Sequence, residues 1–135
     1  MNHWSTRYIG IPYCLGGRER DGVDCWGLVR LIYREERGVL LPSLPGVASS
    51  DLLGISREIV RETARLWQEV ARPSEMCAVA MSQGQIPHHV GVWTAADGGK
   101  IIHAWKDLAT IADTVRTLRL RGFRTIHFFS YGLYH

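Results

Sequence analysis

The sequence predicts an α+β fold, with N-terminal helices packed on one face of an antiparallel β-sheet. Two observations predict it. Apolar residues follow a helical period in the first half and then break into short β-branched runs. Those runs are separated by turn formers, as in an antiparallel meander. With 135 residues and no internal repeat, residues 1–135 read as a single domain large enough for a real core.

The elements follow in order. Residues 3–9 read as a short helix that stops before Gly10-Ile11-Pro12. Gly16-Gly17 and Asp21-Gly22 break the chain ahead of Cys25. From Cys25 to about Arg37, Leu28, Val29, Leu31, Ile32 and Tyr33 fall near one helical face, and Gly38 supplies the stop. The stretch from Leu40 to Ser50 reads as loop. A second helix is expected from Ser56 to about Ala71, with Ile59, Val60, Thr63, Leu66, Trp67 and Val70 on one side and Pro73 closing it. Strands are expected at Met76–Met81, His89–Thr94, Lys100–Trp105 and Thr125–Ser130, with Val115–Leu120 ambiguous. Asp97-Gly98 marks a hairpin between the second and third of these.

Composition excludes several classes. The net charge of +3 comes from scattered arginines, which fits solubility and no nucleic-acid footprint. No apolar run has membrane-spanning length, so no membrane insertion is expected. Met1-Asn2-His3-Trp4 opens no secretory signal, and synthesis in the cytoplasm of the producing cell is the expectation. Three cysteines, Cys14, Cys25 and Cys77, make neither a disulfide framework nor a Cys-x-x-Cys zinc pair. No cofactor and no metal are expected.

The chemistry gathers at Cys25. A thiol in the first helical turn meets unpaired backbone N–H groups and the positive end of the helix dipole, which favour thiolate. Such a cysteine is a candidate nucleophile, and the competing reading is a small buried residue in a core helix. A nucleophile needs a base, and the base needs an orienting partner. In a hairpin turning at Asp97-Gly98, residues 91 and 103 are near partners, which makes His89 and His103 close neighbours. Alternation allows only one of His88 and His89 to face the Cys25 helix, and His89 is the choice. A metal site of His88, His89 and His103 lacks a spaced carboxylate or thiolate set. His3, His127 and His135 read as surface or half-buried residues, and Cys14 and Cys77 as packing residues. Asp24 either caps the Cys25 helix or binds a substrate amine, capping being the simpler role. Trp26, Trp93 and Trp105 read as core or cleft wall.

With these residues in view, the chain resembles the NlpC-type family of papain-like cell-wall cysteine peptidases. Tyr8-Ile9-Gly10-Ile11-Pro12-Tyr13-Cys14-Leu15-Gly16-Gly17 is similar to the family's opening Gly-x-Pro-Tyr-x-x-Gly-Gly. Asp24-Cys25-Trp26-Gly27-Leu28-Val29 is similar to its Asp-Cys-Ser-Gly-Leu-Val segment. Pro73-Ser74-Glu75-Met76 stands for Pro-Gly-Asp-Leu, His89-Val90-Gly91-Val92-Trp93 for His-Val-Gly-Ile-Tyr, and Ile102-His103-Ala104 for the strand with the third catalytic residue. Trp26 replaces the family's usual serine, and the Asp-Cys-Trp-Gly-Leu form is similar to the subgroup of phage tails and prophages.

The resemblance implies a papain-like fold and a Cys25–His89–His103 triad that hydrolyses peptide bonds in peptidoglycan stem peptides. The usual bond joins D-glutamate, through its γ-carboxyl, to a diamino acid. It also implies the Tyr13 hydroxyl as an oxyanion donor and places Asp24 and Trp26 against the substrate. A phage-tail member would be assembled into the virion beside other tail proteins. Two alternatives stand beside this reading: a structural tail-tip protein with a vestigial site, and a papain-like acyl transferase or thioesterase.

Overall fold

The computed structural model describes residues 3–41, 67–84 and 89–131. A 3-10 turn at Trp4–Arg7 comes first, where a short helix is expected. A two-stranded ribbon follows, β1 (Arg18–Glu19) and β2 (Gly22–Val23), leading straight into helix α1 (Cys25–Arg37). Both ends of α1 are set by sequence. Asp24 accepts the Gly27 N–H at the start, and Gly38 ends the helix in the left-handed region at φ 67°. Val39 N–H then closes back on the Tyr33 carbonyl at 3.1 Å.

The remaining described elements are β3 (Trp67–Val70), β4 (Ala78–Ser82), β5 (His89–Thr94), β6 (Lys100–Ala104), β7 (Thr110–Asp113), a short helix α2 (Val115–Leu120) and β8 (Thr125–Tyr131). Six strands form one antiparallel sheet in the order β3-β8-β4-β5-β6-β7. Helix α1 covers one face. Leu28, Val29 and Ile32 pack with Val90, Val92, Ile102 and Ala104 in a single buried cluster. The opposite face carries Val79, Met81 and Ile101 under Leu118 and Phe123. The α+β expectation holds: among the described residues α1 is the one helix on its face of the sheet, and Leu118 of the short α2 lies on the other.

Three expectations change. Trp67–Val70 is a strand and not the end of a helix, because it pairs with β8 and Trp67 packs its ring edge against Tyr33 and Tyr131. The rest of that expected helix, residues 56–66, lies outside the described residues. The ambiguous stretch Val115–Leu120 is helical, capped by the Thr114 hydroxyl on the Thr117 N–H at 3.1 Å. Strand β7 is additional to the sequence expectation.

Candidate active site

The loop ahead of Cys25 is stitched to the helix it introduces. Cys14 N–H bonds the Val23 carbonyl at 3.0 Å, and Asp24 N–H bonds the Gly17 carbonyl at 3.2 Å. The Asp24 carboxylate uses both oxygens on backbone donors. Oδ1 takes the Gly27 N–H at 2.7 Å and Oδ2 takes the Gly16 N–H at 3.0 Å. One side chain therefore caps α1 and anchors the glycine loop. Burial pushes the Asp24 carboxyl above its ordinary range, against the lowering effect of those bonds. A Cβ on Gly27 would run into the Gly17 carbonyl, so glycine is what lets loop and helix touch. Cys25 is buried at the first position of α1, and Trp26 is buried in the core beside it.

The same loop is tied to the far strands. Pro12 bridges Ala109, Tyr13 bridges Val23, and Thr110 N–H bonds the Ile11 carbonyl at 2.8 Å. The segment that leads into Cys25 is therefore tied to the β6–β7 turn. That is the end of the sheet where β5 begins with His89, because β5 and β6 run antiparallel. Tyr13 is half-buried in this seam.

His89 and His103 meet across β5 and β6, with Nε2 of His89 2.9 Å from Nδ1 of His103. The observed pairs Val92–Ile102, Trp93–Ile101 and Thr94–Lys100 extend to Gly91 opposite His103, the register read from the sequence. A side chain at Gly91 would press on the Ile102 carbonyl at 2.7 Å and on the His103 Cβ at 3.0 Å. Gly91 thus lets the two strands close up where the rings meet. The helix-covered positions are Val90, Val92, Ile102 and Ala104, and the histidines stand on the alternate ones. His89 therefore stands off the helix-covered face on which alternation set it, at the end of the sheet where the segment leading into Cys25 is tied down. Its ring stacks on Phe123 at 5.5 Å between centroids and meets the edge of Trp105. His88 lies outside the described residues.

A family model described as the NlpC/P60 family matches residues 10–120. The chain belongs to the NlpC/P60 family. Among solved structures, the crystal structure of the NlpC/p60 domain of the peptidoglycan hydrolase SagA is similar to this NlpC/P60 chain in fold. It has a TM-score of 0.59 and 21% identity, covering 93% of this chain and 92% of that one. The gamma-DL-glutamyl hydrolase of Bacillus subtilis (strain 168) is 41% identical over 39 residues, which are 28% of this chain. That match spans only 9% of the hydrolase's length.

In this NlpC/P60 chain the histidine pair does not end at His103. His103 Nε2 is 2.8 Å from Asp113 Oδ2, and the same oxygen accepts Arg121 Nε–H at 2.8 Å. Burial pushes the Asp113 carboxyl up, but the bonds from His103 and Arg121 outweigh it and leave it below the ordinary range. Asp113 is a site residue the sequence reading missed. Its signal was the register: Asp113 pairs Ile101, two residues from His103 and on the same face. Thr110-Ile111-Ala112-Asp113 is too short and too mixed to announce a strand.

The other cysteines separate. Cys77 is buried beside β4, and burial pushes its thiol up to about 11. Cys14 is exposed, contrary to the packing role expected of it, at the head of the turn that its carbonyl closes with the Gly17 N–H at 2.8 Å.

Proposed function

We propose that this chain is a cysteine endopeptidase that cuts the peptide stems of peptidoglycan, at the bond between γ-linked D-glutamate and a diamino acid. The reading is carried by Cys25 as first residue of α1, with its lead-in segment tied to the β6–β7 turn, together with the hydrogen-bonded His89–His103 pair. Membership of the NlpC/P60 family and the names of the two similar hydrolases support the substrate class.

The reaction follows from the residue types. The helix dipole and an imidazolium at His89 stabilise the Cys25 thiolate. The thiolate attacks the carbonyl carbon, and His89 protonates the leaving amine as the C–N bond breaks. Water then loses a proton to His89 and adds to the thioester, releasing the acid and restoring the thiol. His103 orients the His89 ring. The Cys25 backbone N–H and the Tyr13 hydroxyl serve the oxyanion, each such donor lowering the barrier by about 3–4 kcal/mol. Contrary to expectation, neither Trp26, buried in the core, nor Asp24, whose carboxylate is taken up by the Gly16 and Gly27 N–H groups, is left to hold the peptide. Asp24-Cys25-Trp26 supports assignment to phage tails, where the enzyme would be assembled with other tail proteins and open the host wall.

Cys25→Ala and Cys25→Ser are expected to abolish release of stem-peptide fragments from purified peptidoglycan, with the products of the unaltered protein identified by mass spectrometry. Cleavage retained in both variants refutes the reading. Fragments capped by an added amine or alcohol would move the chain to the acyl transferases.

A further inference from the structure

The reaction above uses His89 as base and acid, and the proton count on its ring depends on what lies behind it. Asp113 begins that count. An ionised carboxylate only accepts hydrogen bonds, so His103 must present Nε2–H to Asp113 Oδ2. A neutral His103 then offers a lone pair on Nδ1, and His89 must present Nε2–H to it. The ring nitrogen of His89 that remains for exchange with a thiol is Nδ1.

The alternative order is a protonated His103 donating from both nitrogens. It would deny His89 its second proton, because two imidazoliums cannot share a contact of 2.9 Å in a buried site. His103 is fully buried, and the groups it meets are His89, Asp113 and the edge of Trp105. Arg121 lies over the Trp105 ring at 4.8 Å and holds Asp113 Oδ2 from its other side. The acceptor is thus fixed in place by a cation that is itself braced on an aromatic face.

We propose that Asp113, held by Arg121, is a positioning residue that orders the protons of His103 and His89, leaving the exchangeable proton on His89 Nδ1. The effect on rate rests on the peptidase reading, whereas the proton order does not. Two variants separate the acceptor from the bulk. Both His103 and Arg121 bond the same oxygen, so Asp113→Asn satisfies both donors by placing its amide oxygen there. The flipped amide would set N–H against N–H. Asp113→Leu supplies no acceptor, and Arg121, one-third exposed, can turn to solvent.

The proton order is read by nitrogen NMR of the imidazole rings in a Cys25→Ala background at about pH 8, where a free imidazole is neutral. Nε2–H on both histidines is expected, retained in Asp113→Asn and lost in Asp113→Leu. With Cys25 present, Asp113→Leu is expected to lower kcat about 10²–10⁴-fold, the range of a general acid–base contribution, with KM little changed and Asp113→Asn restoring most of it. Nδ1–H on His89 in the background protein overturns the proposal, and so does a full kcat or an unshifted ring in a folded Asp113→Leu. Should Asp113→Leu not fold, the background spectrum and Asp113→Asn decide. No peptidoglycan cleavage by the unaltered protein, with the expected ring protons, would sink the peptidase reading and leave this one standing.

Discussion

Removing the Asp24 carboxylate tests whether one side chain joins the glycine loop to α1. In Asp24→Ala, Gly27 N–H loses a cap at 2.7 Å and Gly16 N–H loses an acceptor at 3.0 Å. A lost N-cap costs about 1 kcal/mol, within a range of about 0.5–2. The second bond is to a charged acceptor, a class worth about 1.5–3 kcal/mol. Against these stands the release of a carboxylate that is only 5% exposed and whose burial opposes ionisation. The net expectation is a loss of about 2–4 kcal/mol. Asp24→Asn should lose about half as much, since its oxygen keeps Gly27 while its amide N–H faces the Gly16 N–H. Urea unfolding at neutral pH measures both, as a lower midpoint at constant slope. An Asp24→Ala protein within about 0.5 kcal/mol of the parent, a change typical of any surface site, would refute the reasoning.

Further outcomes follow from single contacts. Gly91→Ala should push β6 off β5 at the Ile102 carbonyl, destabilise by about 1–3 kcal/mol as overpacking does, and weaken the His89–His103 bond; an unchanged melting temperature with unchanged imidazole spectra would contradict this. Tyr33→Phe removes the donor to the buried Met76 carbonyl at 2.6 Å and should cost about 1–3 kcal/mol in urea unfolding. Asp113 is held below the usual carboxylate range despite its burial, so its contribution is present above about pH 4 and is lost as pH falls through its folded value. The stability difference between the parent and Asp113→Asn, about 1–3 kcal/mol near neutral pH, should therefore shrink in acid titrations; a difference that grows in acid would reverse the assignment.

What could be read from the chain was local or rested on one short hairpin. Helix α1 announces itself through Asp24, its apolar face and Gly38, and the structure places it at Cys25–Arg37. The β5–β6 register follows from the turn between Ala95 and Gly99, and it sets His89 beside His103. Strand β3 could not be read this way. Trp67-Gln68-Glu69-Val70 carries no strong strand signal, and its state is decided by Phe128–Tyr131, far away in sequence. Asp113 was hidden for the same reason, since its role depends on a pairing with β6 and on Arg121 beyond α2.

The position of β8 bears on how the molecule assembles. Strands β4 to β7 pair with their neighbours in order, so they can zip up as they leave the ribosome. β3 and the other edge of β4 have no such option, because the strand that separates them is built from residues Thr125–Tyr131. Until those residues are made, Trp67 lacks its Tyr131 partner and β4 shows an open edge to other nascent chains. β8 is thus a late-made wedge that locks two earlier pieces together, and a ribosome stalled short of it would leave a half-sheet prone to pairing with strangers.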